Sequence, residues 1–407
     1  MVRLMLSRAL TVAALCTGLV TLCLFPGPST EITIVAQSVA LLVCFPMSDW
    51  RGWLGRPVVG LPLLAGVILL VAFIITAKSP DYLFGVLIIA PCYLIGPLME
   101  AFKRSRWPIR PGLIGGLATL GAGVAMLVAL YDVFVLHEPR GGAVVANPIH
   151  FADAALAMGS LGVLTLFERG RWRWLGLLGL VFSLVAIAAS GTRGAMVAVV
   201  PALLVGIAEA AYWGKLVRRQ WAPVAAGLIA ILLVVGLAYV AGWSPLVRIE
   251  GTAATLIEGG TVTDASDSQR VLMYRGALNA FLQSPIFGHG TVGFTRIAAE
   301  TLPADLHAPI YDHLHNDIAD FAVVAGTIGL VAYLLLLAAP LVTAWRSRGP
   351  NRHPAILAAS LLTIEFFAMG LTNATFGIIL LTTFYAFGAA LVGHLAASGE
   401  PTEATAS

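Results

Sequence analysis

The chain has 407 residues, 59% of them hydrophobic and only 11% charged, with a net charge of +3. Soluble domains run near a quarter charged and disordered chains are short of apolar residues, so both classes are excluded. So small a net charge over this length also leaves no concentrated basic field for nucleic acid.

What remains is an integral membrane protein. A spanning helix takes about 20 mostly apolar residues. In chain order, such runs fall near 9–25, 32–47, 57–77, 82–100, 112–136, 149–167, 174–190, 194–213, 221–241, 317–343, 353–375 and 377–396, which predicts twelve membrane helices. The first run follows Arg3 and Arg8 as a signal peptide would. It leads into Pro26-Gly27-Pro28 without a small-x-small cleavage pattern, so it reads as a retained helix. With the N-terminus inside, 17 of the 24 Lys and Arg fall in inner connections and 7 outside, the asymmetry expected of cytoplasmic loops. The expected organisation is nine helices in 1–241, an outward loop domain at 242–316, three helices in 317–396 and a cytoplasmic tail at 397–407. Cys16, Cys23, Cys44 and Cys92 lie in apolar runs and show neither metal spacing nor a disulfide framework.

The loop at 242–316 is the one long connection. Ser266-Asp267-Ser268-Gln269 reads as a helix N-cap and Arg270 to Gln283 keeps a helical period. Ser284-Pro285 then stops the helix, and Gly288-His289-Gly290 with Gly293 predicts a tight turn.

Three places at the outer face carry candidate chemistry. The turn Ser190-Gly191-Thr192-Arg193-Gly194 puts a guanidinium at the membrane boundary, where it either holds a phosphate or merely snorkels or caps a helix. On the loop helix, Arg270 and Tyr274 share one face while Arg275 projects elsewhere; the alternative is an interfacial helix with ordinary exposed arginines. The stretch Tyr311-Asp312-His313-Leu314-His315-Asn316-Asp317 offers a histidine that titrates near working pH and can take a proton from a sugar hydroxyl. Helix capping is one alternative there. Metal ligation by His313 and His315 is another, although no third ligand has convincing spacing. Asp132, Asp153 and Glu365, in or near the outer half of the membrane, are either functional or partners that hold the outer arginines in place.

Together these segments resemble the O-antigen ligase family. Ser190–Gly194 is similar to its Ser-x-x-Arg-Gly turn. Residues 270–290 resemble its Arg-x3-Trp…Pro-x-x-Gly-x-Gly segment, with Tyr274 in place of Trp. His315-Asn316 followed by Gly326-Thr327-Ile328-Gly329 resembles its His-Asn/Ser-x9-Gly-x-x-Gly signature, and Ala146-Asn147-Pro148-Ile149 is a weaker likeness.

The resemblance implies an all-α, GT-C-like glycosyltransferase of the bacterial inner membrane with its active site facing the periplasm. Its donor would be a glycan on undecaprenyl pyrophosphate and its acceptor a sugar hydroxyl of lipid A–core, joined by inverting transfer without metal, nucleotide sugar or other cofactor. It also implies His315 as general base, oriented by an acidic neighbour, and Arg193, Arg270 and Arg275 on the pyrophosphate, with Tyr274, His313 and Asn316 as further substrate contacts. A polymerase joining lipid-linked repeat units is the alternative within the family, and the single long outer loop suits a ligase better. A transporter would place charge near the bilayer midplane, where only Glu365 is plausibly deep. A metal-dependent polytopic transferase would want an Asp-x-Asp motif in its first outer loop, and Pro26–Glu31 supplies only Glu31.

Overall fold

A computed structural model describes residues 2–44, 50–212, 265–303, 306 and 309–398. Regular structure among them is helical. The main helices are α1 (Val2–Leu19), α2 (Pro26–Cys44), α3 (Pro57–Thr76), α4 (Ile95–Ser105), α5 (Pro111–Phe134), α6 (Pro148–Leu161) and α7 (Leu175–Ser190). They continue with α8 (Arg193–Tyr212), α9 (Ala265–Gln283), α10 (Phe294–Glu300), α11 (Asp317–Arg346), α12 (Arg352–Gly370) and α13 (Ile379–Ala397).

Among the described residues, ten helical segments are long and apolar enough to cross a membrane, so the chain is an all-helical, multi-pass membrane protein. These ten correspond to ten of the expected runs. The run at 194–213 forms α8, and the run at 221–241 lies outside the described residues.

Two boundaries differ from the expectation, and proline explains both. The Pro26-Gly27-Pro28 stretch, read as a break after the first helix, is instead the first turn of α2. First-turn N–H groups have no intrahelical acceptor, so proline forfeits nothing there. Residues 26–31, expected to be an outer loop, are therefore helical. The fourth run, 82–100, is not one α-helix. It begins as a 3₁₀ segment over Pro80–Ile89, takes one α turn over Ala90–Tyr93 and becomes α4 at Ile95. Pro91 and Pro97 each remove a donor from a regular ladder.

α13 and the α6 segment are central: 89% and 83% of their most apolar windows are buried, against half or less for α1 to α5. Their small residues allow this, with Ala152, Ala154, Ala155 and Ala157 all buried on α6. Between α11, α12 and α13 lies an aromatic cluster of Phe321, Tyr333, Phe366, Phe376 and Tyr385.

α11 is broken. Ala325 and Gly326 leave helical geometry, Gly326 with φ +62°. The turn after α9 fills the gap. His289 N–H donates to Val323 O (2.9 Å) and Gly290 N–H to Val324 O (2.9 Å), while Thr327 N–H donates to Pro285 O (2.8 Å). A broken helix within a membrane protein needs such replacement partners. The contact is too close for side chains: a Cβ at Gly326 would lie 2.5 Å from the Ile286 backbone, and one at Gly288 would lie 2.5 Å from Ala325 N. The two glycine motifs picked out in the sequence are thus the two halves of one interlock. It fixes α9 against the first turns of α11.

Candidate active site

Several helix ends meet at one face of the bundle. α6 begins with Asn147, whose side chain accepts from Ile149 N–H (2.9 Å), and with Pro148 in the first turn; this places His150 one residue further on. Thr192 Oγ1 donates to Pro148 O (3.1 Å), tying that turn to the one between α7 and α8. Arg140 clamps the same turn, donating from Nε to Ser190 O (2.7 Å) and from Nη2 to Thr192 Oγ1 (3.1 Å). Arg193 follows as the first, half-buried residue of α8.

Gly194 packs on Thr372 Oγ1 with no room for a Cβ. The neighbouring Leu371 carbonyl accepts from Asn316 Nδ2 (3.0 Å). Asn316 also caps α11, its Oδ1 accepting from Ala319 N–H (3.1 Å). The Tyr274 hydroxyl lies between His315 O (3.1 Å) and Leu371 O (3.5 Å), and its one proton suits the nearer. The turn at 371–373 is therefore the hub joining the arginine turn, the loop helix and the histidine segment. Nothing in its sequence announces that role.

His315 has a left-handed backbone, φ +55°. Its carbonyl is held by Tyr274, and its ring stacks edge-on against His313 and Tyr311, with centroids 4.2 and 5.4 Å apart. His315 N–H donates to His313 Nδ1 (3.2 Å), so a neutral His313 carries its proton on Nε2. His315 Nδ1 is buried and has no hydrogen-bond partner among the described residues. Burial, followed by His313, Arg270 and His150, lowers the His315 pKa to about 4. Burial lowers that of His313 too, opposed by Asp312 and assisted by Arg270. At neutral pH the His315 ring is an uncharged proton acceptor.

The acidic neighbour expected to orient His315 is engaged elsewhere. Asp317 accepts from Thr375 Oγ1 and from Phe376 N–H (3.2 Å), and Asp320 accepts from Leu314 N–H (2.8 Å). Two of the three flagged intramembrane acids also take neutral donors: Asp132 accepts from Gly142 N–H (2.8 Å) and Asp153 from Asn373 Nδ2 (2.8 Å). Glu365 lies beside Ser160, whose hydroxyl donates to Leu156 O (3.0 Å).

Arg270, Tyr274, His313, His315 and Asn316 thus form one cluster, and Gly194, the residue after Arg193, packs on Thr372 beside it. Arg270 is half-buried and makes no hydrogen bond or ion pair among the described residues. Arg275 stands exposed on the same helix. Among the described residues, no group of three or more His, Cys, Asp or Glu is arranged to hold a metal ion. Sequence reasoning missed His150, whose signal was the Asn-Pro helix start just before it. It also missed Arg140.

A neutral imidazole beside a half-buried guanidinium can deprotonate a hydroxyl while stabilising an anionic leaving group. Residues 178–334, which contain Arg193, Arg270 and His315, match the O-antigen ligase family. That match is confined to this segment of the chain. No curated protein matches it. The family segment runs from within α7 to within α11, so His150, Asp153 and the turn at 371–373 lie outside it. The matched segment and the candidate spans support a multi-pass membrane enzyme of the O-antigen ligase or polymerase type, a glycosyltransferase whose general partners are a lipid-linked glycan and a glycan acceptor.

Proposed function

We propose that this chain moves a glycan from undecaprenyl pyrophosphate to a sugar hydroxyl of lipid A–core, at the periplasmic face of the bacterial inner membrane. The observation that supports this most is the state of His315: uncharged, with Nδ1 buried and unpartnered, in the field of Arg270. Polar atoms left open in a site so well hydrogen-bonded elsewhere suit a ligand that completes them.

In the proposed step the acceptor hydroxyl oxygen attacks the anomeric carbon as the bond from that carbon to the phosphate oxygen breaks. The hydroxyl proton passes to the His315 ring, and the pyrophosphate leaves with the bonding electron pair. Attack opposite the leaving group inverts the anomeric centre. Arg193 and Arg270 take up the charge that grows on the pyrophosphate, as planar forks matched to phosphate oxygens. Tyr274 acts through the base, holding the carbonyl of His315, and Asn316 fixes the same segment to Leu371. Arg275, exposed, carries less of the charge, and His313 shapes the pocket beside the base. No metal or nucleotide sugar enters the step. The single long outer segment favours a ligase over a polymerase.

Deletion of the gene, followed by gel analysis of surface glycolipids, tests the reading. Lipid A–core lacking long chains, with lipid-linked polymer accumulating, is the expected result. Core capped by single repeat units would assign the chain to the polymerases instead. Transfer by purified protein should be insensitive to chelator, and a strong loss would overturn the metal-free step.

A further inference from the structure

The membrane face opposite the candidate active site carries a second polar cluster, unrelated to the transfer chemistry. α11 ends there at Arg346 and α12 begins at Arg352. The turn between them is rigidly held. Buried Ser347 donates through Oγ to Ala396 O (2.7 Å) at the end of α13, and Arg352 N–H donates to Gly349 O (3.1 Å). This fixed turn presents Arg346 and Arg348, both exposed and neither hydrogen-bonded nor ion-paired among the described residues.

Together with Arg352 and Trp345, these arginines line one cleft. Trp345, 63% exposed, also borders an apolar groove that climbs between α8, α11 and α12 past Leu341, Leu337, Leu334 and Phe367. The polar cleft and the apolar groove therefore meet at one indole. The one acid on the groove wall, Glu209, is engaged by Ser360 (3.0 Å).

This juxtaposition has the two-part chemistry of a single amphiphile. Guanidinium groups bind phosphate oxygens, the groove accepts an acyl chain, and tryptophan favours the boundary between headgroups and hydrocarbon. Among the described residues, no carboxylate lines the cleft to receive a headgroup ammonium. We infer that Trp345, Arg346, Arg348 and the adjoining groove bind one anionic phospholipid, with its phosphate on the arginines and an acyl chain along α11.

The test uses the full chain in detergent and phosphatidylglycerol with brominated acyl chains, which quench a nearby indole. Quenching should be saturable, and it should be largely lost in Trp345→Phe. Arg346→Gln with Arg348→Gln should raise the lipid concentration at half-saturation by about tenfold or more, and Arg346→Lys with Arg348→Lys by much less. Brominated phosphatidylcholine should quench only weakly. The assignment fails if both lipids quench alike or if the glutamine pair binds as the unchanged protein does. It also fails if Trp345→Phe leaves the quenching intact or if no saturable quenching occurs, as when the chain's own residues fill the groove. Should the glutamine pair not fold, the comparison of the two lipids on the unchanged protein decides.

Discussion

Two buried polar regions lie close together at the face of the bundle that holds the candidate site, and they are built oppositely. Asp317 has its carboxyl filled by Thr375 and Phe376, and Asp153 takes a donor from Asn373. A short way along the chain, His315 leaves Nδ1 with no partner, and Arg270 has no hydrogen bond among the described residues. Unsatisfied buried polar groups are costly, so a fold keeps them where something else completes them. The contrast separates groups that hold the site from groups that await substrate.

The sharpest way to break that contrast is His315→Ala. Transfer should fall by about 10²–10⁴-fold in kcat, the range for a lost general base, while membrane level and melting temperature stay near those of the unchanged protein. Normal product from this variant would remove the proton acceptor from the mechanism. Arg270→Gln should lower kcat by about a hundredfold, measured in single-turnover transfer from a lipid-linked donor. Arg270→Lys and Arg193→Lys should recover little, since a point charge does not reproduce a two-pronged contact.

Asp317→Ala tests the other side. It strands the Thr375 hydroxyl and the Phe376 N–H, so it should cost about 1–3 kcal/mol of stability, read as a lower melting temperature in detergent. Residual transfer per folded molecule should be close to normal. If chemistry were lost at unchanged stability, Asp317 would belong with His315 instead.

The pH dependence refines the picture. His315 must be uncharged to accept a proton, so activity is lost as pH falls through its pKa. In the free enzyme that pKa is about 4, below the ordinary histidine value, so kcat/KM should hold level from neutrality to about pH 5 before dropping. Bound pyrophosphate favours the imidazolium, so the acid limb of kcat should lie at higher pH than that of kcat/KM. The smallest expected effect is that of Tyr274→Phe. Losing one neutral hydrogen bond to the His315 carbonyl should reduce kcat by less than about tenfold with KM little changed.

Hydropathy made the multi-pass helical architecture legible, because a bilayer leaves a chain few alternatives. The loop helix and its stop at Ser284-Pro285 were also readable, since both signals are local. The first boundary misled because Pro26 suits a helix start as well as a helix end. What stayed hidden depends on contacts between distant backbone atoms. The Leu371 carbonyl, which receives Asn316 and lies within reach of the Tyr274 hydroxyl, has no side-chain signature. The pairing of residues 285–290 with the break in α11 likewise shows in sequence only as scattered glycines.

The Leu371 carbonyl also has a consequence for biosynthesis. It lies at the junction between the last two helices, more than fifty residues after His315. In the order of synthesis, the histidine segment precedes its anchor. The contacts that tie the histidine segment and the loop helix to this turn therefore form only once α12 is in place, and a chain that stops after α11 lacks them.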